Sequence, residues 1–78
     1  MSERFEVRPR RAGKNTQAVE QFNAHHRVGT PVLYWPGTRE GDGRESVTRS
    51  EAWLLGGHTP VVMVEGYAGG IALSHVIV

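Results

Sequence analysis

The sequence of 78 residues contains no cysteine, which excludes disulfide bonds and every zinc site built on thiolate ligands. Small secreted domains usually depend on disulfides, because so short a chain builds only a small core. Long apolar runs are also missing: the longest, Pro60–Val64, is far below the roughly 20 residues that span a bilayer. The polar first residues, Met1–Glu6, do not resemble a signal peptide. We therefore expect a cytoplasmic protein that does not enter a membrane.

Motifs for catalysis and for metal binding are lacking as well. No serine lies in the Gly-x-Ser-x-Gly turn that exposes a nucleophile. His25 and His26 are adjacent, and neighbouring helix residues point about 100° apart, so the pair is poorly placed to chelate one ion. We therefore predict no catalytic residue, no metal site and no cofactor, and we interpret the chain as a non-enzyme.

Positive charge is concentrated in the leading segment. The formal net charge is +1, but residues 1–27 carry six cations against three acids, and residues 28–78 carry three cations against five acids. A basic segment ahead of a slightly acidic body suggests contact with an anionic partner. Phosphate contacts need charge more than defined geometry. The candidate nucleic-acid-binding residues are Arg8, Arg10, Arg11, Lys14 and Arg27.

Two units are predicted along the chain, a flexible basic arm over residues 1–14 and one folded domain over residues 15–78. The arm has little periodicity and few apolar side chains to offset the entropy lost on ordering. A solvated tail that only aids solubility is an equally good interpretation of it. The domain begins with a helix over residues 15–26, with Asn15 as its N-cap and Ala18, Val19 and Phe22 on one face.

Short strands follow the helix, because ten glycines and four prolines indicate many turns. A polar loop over residues 36–46 separates the first strand from the second. The predicted strands are Pro31–Trp35, Ser46–Leu55, Pro60–Glu65 and Ile71–Val76. The predicted core consists of Val32, Ala52, Leu54, Val62, Val64, Ile71 and Leu73, with Phe22 docking the helix.

The order of these elements, strand, long polar loop, then three strands joined by tight turns, resembles SH3-like barrels, the group that includes Tudor and KOW modules. The resemblance covers roughly residues 28–77 and implies a mainly β fold, a small antiparallel barrel. Curling a sheet into a barrel buries its apolar face and leaves fewer unpaired strand edges. The Ala-Leu-Tyr-Asp-Tyr type of peptide-binding motif is missing. The resemblance therefore implies a fold and no binding residues.

Two stretches, Phe22–Val32 and Thr48–Pro60, are also similar to short uncharacterised proteins of phages and bacterial mobile elements. This second resemblance implies a biological context and no activity.

Aromatic residues are few, and three of them are candidate partner-binding residues: Trp35, Trp53 and Tyr67. Tyr34 and Trp35 are consecutive in a strand, so alternation predicts one in the core and the other on the surface. Alternation with Ala52 and Leu54 favours an outside position for Trp53. For each of these rings, use in the core or as a plug at the barrel end is a slightly better interpretation, because a small domain needs its large aromatics for packing. An exposed ring on a small barrel can stack on a base or anchor a protein partner.

The sequence therefore predicts a small non-catalytic binding module and leaves two partner classes open. One is nucleic acid held through the basic arm. The other is a protein bound at the barrel surface by an adaptor or inhibitor. The oligomeric state also stays open, and a dimer is one outcome, since the apolar stretch Val76–Val78 suits either a core or a dimer surface.

Overall fold

The computed structural model of the protein describes residues 13–78, which form one helix and six short strands. Helix α1 spans Lys14–His25. The strands are β1 Pro31–Tyr34, β2 Arg44–Val47, β3 Trp53–Leu55, β4 Thr59–Met63, β5 Gly70–Ala72 and β6 Val76–Ile77. A 3₁₀ helix, Leu73–His75, lies between β5 and β6. The expected mainly β composition with one preceding helix is confirmed.

The strands form two antiparallel sheets of three strands each. The first sheet has the order β2-β1-β6 and the second has the order β3-β4-β5. An isolated bridge between Thr48 and Val64 connects them. Backbone hydrogen bonds extend this connection on either side, from Arg49 N to the Met63 oxygen at 2.8 Å and from Glu65 N to the Val47 oxygen at 3.0 Å. The segment after β2 is therefore paired with the segment after β4.

The prediction of one strand over residues 46–55 is wrong, because this stretch contains β2 and β3, which belong to different sheets. Between them the backbone of Ala52 is bonded to a side chain: its N–H donates to Asn23 Oδ1 at 2.8 Å, and its carbonyl accepts from Asn23 Nδ2 at 3.0 Å. The predicted strand over residues 71–76 is likewise interrupted by the 3₁₀ helix. Alternation of side chains does not reveal where a strand leaves its sheet.

Helix α1 begins one residue earlier than predicted. Gly13 occupies the N-cap position and provides no side-chain hydrogen bond. Asn15, predicted as the cap, donates its side-chain N–H to the His58 carbonyl at 2.6 Å and so ties the start of the helix to the turn before β4. Lys14 therefore belongs to the helix and not to an arm over residues 1–14. Residues 1–12 of that predicted arm lie outside the described residues.

The core lies mainly between the sheets and agrees in most positions with the prediction. Val62 and Val64 are fully buried, and Val32, Ala52 and Ile71 are also buried. Leu54, Leu73 and Phe22 are half-buried. Four residues outside the predicted core set are also buried, and these are Tyr34, Trp35, Thr48 and Val61. Helix α1 packs against β3 and β4.

Candidate binding surface

An open groove with a volume of about 350 Å³ lies on the outer face of the first sheet. In the sheet register Leu33 lies opposite both Glu45 on β2 and Ile77 on β6. Residues that lie opposite one another in adjacent strands project from the same face. A carboxylate and two apolar side chains therefore form a row across all three strands. The lining consists of Pro31, Val32, Leu33, Glu45, Ser46, Ile77 and Val78.

The face is open because β1 buries only alternate side chains. Val32 and Tyr34 point into the core, where they are 5% and 4% exposed, while Pro31 and Leu33 point outward. Leu33 and Ile77 remain 37% and 41% exposed, and Val78 remains 56% exposed. These apolar side chains adjoin one another across the sheet, unlike the scattered exposed residues of an ordinary surface. Contiguous exposed apolar residues are typical of interaction sites.

Among residues 13–78, Glu45 is the one ionisable side chain that lines the groove. It lies on the edge strand β2 and is exposed. The hydroxyl of the neighbouring Ser46 donates its hydrogen bond to the Glu65 carbonyl at 2.7 Å. This hydroxyl hydrogen is therefore not available to a binding partner. The groove therefore combines an apolar floor with one anionic group at its β2 side.

Trp35 is buried, which contradicts the prediction that only one of Tyr34 and Trp35 belongs to the interior: they are 4% and 9% exposed. Strand β1 ends at Tyr34, so the alternation of a strand no longer applies at Trp35. The loop after β1 folds back over the indole, whose Nε1 donates to the Gly41 carbonyl at 3.1 Å. The guanidinium of Arg39 covers the ring at 4.7 Å from its centroid. In this conformation Trp35 is closed off by its own loop.

The other two candidate aromatic residues lie in different settings. Tyr67 is half-buried and packs on Tyr34, with ring centroids 6.2 Å apart. Trp53 is 36% exposed, the position that alternation favours and not the core position that was the slightly better interpretation. It lies on β3 of the second sheet, and its ring is 3.5 Å from where a Cβ on Gly70 would be. The three aromatics therefore do not form one shared surface, and Trp53 is the most exposed of them.

The described basic residues are separated or already engaged. Lys14 and Arg27 are exposed at opposite ends of α1, which is about 18 Å long at 1.5 Å per residue. Arg49 uses its guanidinium to bind the carbonyls of Val64 and Tyr67 at 2.9 and 3.1 Å. The candidate residues Arg8, Arg10 and Arg11 lie outside the described part of the chain.

Among the groove residues, Ile77 and Val78 belong to the apolar stretch predicted for a core or a dimer surface. The residues of β1 and β2 were not candidates for binding, although one signal for β1 exists. Residues Pro31–Trp35 are apolar or aromatic on both faces of the strand. Such a run is typical of a strand that is covered on both sides. In the structure one of these sides is covered by the core and the other is the groove. The residues of β2 and β6 that complete it depend on sheet register, which the sequence does not specify.

Comparison with protein-family models, with curated proteins and with solved structures finds no match to this chain. Within residues 13–78 no helix has both the length and the apolar character needed to cross a membrane. In the same region no three histidine or acidic side chains come together in a way that could hold a metal ion. The candidate site therefore depends on the geometry of the groove alone.

Proposed function

We propose that this protein is a small non-catalytic binding module that holds an apolar segment of a partner protein in the groove on its first sheet. The observation that supports this proposal is the row formed by Glu45, Leu33 and Ile77 on an exposed sheet face. Covering about 100 Å² of apolar surface removes it from water with a gain of roughly 2.5 kcal/mol. A groove lined by several apolar side chains can therefore provide useful affinity.

The fold that presents this groove is, in our proposal, a small SH3-like barrel. Two backbone connections between the two sheets support it. The Thr48–Val64 bridge connects them on one side, and the 3₁₀ helix carries the chain from β5 in the second sheet to β6 in the first. The proposed relationship to phage and mobile-element proteins rests on sequence resemblance alone.

Nucleic acid is the less favoured partner, for reasons of charge. No cation lines the groove, and Arg39 donates to the Ser74 carbonyl at 2.9 Å while covering Trp35. The excess positive charge of residues 1–27 still favours phosphate contacts by that segment. Removing residues 1–12 should flatten the salt dependence of any nucleic-acid affinity and leave binding in the groove unchanged.

The groove can be tested by selecting ligands from a phage-displayed library of random 12-residue peptides with the full chain as bait. We expect the selected peptides to bind the wild-type protein and to lose at least tenfold in affinity for Leu33→Asp, because a carboxylate then occupies the apolar floor. Leu55→Asp is the matched control, since Leu55 is a 54% exposed leucine of β3 in the second sheet.

Leu55→Asp should unfold at a urea concentration close to that of the wild type, whereas Leu33→Asp places a second carboxylate opposite Glu45 and should unfold somewhat earlier. Affinities are therefore compared under conditions in which circular dichroism shows that both variants are folded. Peptides that bind Leu33→Asp as well as the wild type would place the binding surface elsewhere. A selection that yields no binding peptide, combined with salt-sensitive binding to RNA or DNA, would overturn the proposal in favour of the basic segment.

A further inference from the structure

We infer that the partner segment carries a cationic side chain that pairs with Glu45, next to apolar side chains that cover Leu33 and Ile77. This inference rests on the proposed function, since it names the chemistry of the partner at the same groove. Its starting point is the composition of the lining, in which Glu45 is the single charged group among apolar residues and one serine.

Docking of an apolar segment would remove water from the Glu45 carboxylate. Leu33, its cross-strand neighbour, offers no hydrogen-bond donor, and the Ser46 hydroxyl already donates to the Glu65 carbonyl. Burying a carboxylate without a partner is costly, whereas a desolvated pair with lysine or arginine offsets that cost. A segment without a basic residue therefore binds less well than one that has it.

A second copy of this chain fits the groove poorly. Contact between two identical faces is self-complementary, so the groove lining must contain the partners for its own groups. That lining contains an anion and no cation. Arg44 is adjacent to Glu45 on β2 but lies opposite Tyr34 in the register, and alternation directs it to the other face of the sheet. A different protein with a basic residue is the better occupant.

The width of the sheet sets the spacing within that partner segment. Neighbouring strands are about 4.8 Å apart, so Glu45 on β2 and Ile77 on β6 are separated by roughly 10 Å. An extended chain advances about 3.3 Å per residue and covers this width in about three residues. We therefore expect the basic residue to lie two to four positions from the apolar residue that covers Ile77.

The same 12-residue phage library, selected in parallel on three baits, tests this inference. Wild-type bait should enrich peptides with Lys or Arg two to four positions from an apolar residue. Glu45→Gln bait should lose the basic preference and keep the apolar one. Glu45→Lys bait should enrich Asp or Glu at the same position, because the charge it must match is reversed. Glu51→Lys is the control, since Glu51 is exposed and lies outside the groove lining.

The test is completed by measuring the affinities of two synthetic peptides for the wild type and for Glu45→Lys. One peptide has the consensus sequence with its basic residue, and the other has an acidic residue at that position. The basic peptide should bind Glu45→Lys at least tenfold more weakly than the wild type, and the acidic peptide should recover that loss. If the peptides lose affinity for Leu33→Asp but show the same enrichment of basic residues on all baits, the pairing with Glu45 is wrong and the groove proposal still holds. If neither the Leu33 nor the Glu45 substitutions change peptide binding, both the pairing and the groove proposal are wrong.

Discussion

The central strands of the two sheets differ in how many of their faces are covered. On β4 consecutive residues Val61 and Val62 are 2% and 0% exposed, so both faces of that strand are buried. On β1 Val32 is 5% exposed but its neighbour Leu33 is 37% exposed. Both strands are equally apolar in sequence. The central strand of the second sheet is therefore packed on both faces. The central strand of the first sheet is packed on one face and has an apolar, solvent-exposed second face.

Helix α1 accounts for part of this difference, because it packs against β3 and β4 of the second sheet. Two amide side chains fix its position, Asn15 at the His58 carbonyl and Asn23 at the backbone of Ala52. A helix held in this way cannot also cover the outer face of the first sheet. Among the described residues, Leu33, Ile77 and Val78 therefore remain exposed there, and the proposed binding groove contains all three.

The largest difference in unfolding free energy is expected between two isoleucine-to-alanine variants, one on an edge strand of each sheet. Ile71 on β5 is 2% exposed and Ile77 on β6 is 41% exposed. Ile71→Ala should lower the free energy of unfolding by about 3 kcal/mol, since it leaves a cavity in the core. Ile77→Ala should lower it by less than about 1 kcal/mol. Urea unfolding followed by circular dichroism measures both, and similar losses would mean that the first sheet is covered after all.

The next effect concerns Thr48, the buried residue where the two sheets connect. Its Oγ accepts from the N–H groups of Gly29 and Thr30 at 3.0 and 3.1 Å and donates to the Arg27 carbonyl at 3.2 Å. Thr48→Val keeps the shape but leaves these groups without that partner, which should cost about 1–2 kcal/mol. Thr48→Ser keeps the hydroxyl and should cost less. A loss in Thr48→Ser with no loss in Thr48→Val would assign the effect to packing of the methyl group.

These residues also show which parts of the fold the sequence can predict. Strand positions such as those of β1 and β4 follow from apolar runs between turn residues, and burial of Val62 and Ile71 follows from alternation. The burial of Thr48 depends on pairing between segments that are far apart in sequence. Local pattern carries no information about that pairing, and the same holds for the break between β2 and β3.

The candidate site is less predictable than the fold for a similar reason. Exposure of Leu33 can be suspected from a strand that is apolar on both faces, but its neighbours Glu45 and Ile77 are set by sheet register. Burial of Trp35 depends on a loop that folds back over the ring. The 36% exposure of Trp53 agrees with alternation within one strand and not with the interpretation that every large aromatic belongs to the core.

A smaller effect is expected where the helix is attached to the second sheet. Asn23→Ala removes both hydrogen bonds to Ala52 and should lower the free energy of unfolding by about 1–2 kcal/mol. Asn23→Asp keeps the acceptor for the Ala52 N–H and loses the donor, so it should fall between alanine and wild type at neutral pH. Hydrogen exchange of the Ala52 amide, measured by NMR, should be faster in the alanine variant. An unchanged exchange rate would contradict the proposed attachment.

The smallest effect concerns the loop that covers Trp35 at the end of the first sheet. Arg39 lies over the indole and donates to the Ser74 carbonyl, but the arginine is exposed, and a cation–π contact at an exposed site contributes about 0.5–1 kcal/mol. Arg39→Ala should therefore lower the free energy of unfolding by less than about 1 kcal/mol and still expose the ring. A Trp53→Phe background leaves Trp35 as the single tryptophan, and its emission should shift to longer wavelength when the loop opens.

Arg39→Lys separates the charge from the planar stacking group. Lysine keeps the positive charge but lacks the flat guanidinium, so it should restore only part of the cover. Exchange of the Trp35 indole N–H, which donates to the Gly41 carbonyl, gives a second readout by NMR and should be fastest in the alanine variant. If neither emission nor exchange changes, the loop is held by the Trp35–Gly41 hydrogen bond and by packing of the ring on Gly43, where a Cβ would approach the ring to 2.9 Å. Trp35 would then be shielded from solvent as stably as the second sheet is by helix α1. Among the described residues, the open groove would be the one accessible apolar surface of the first sheet.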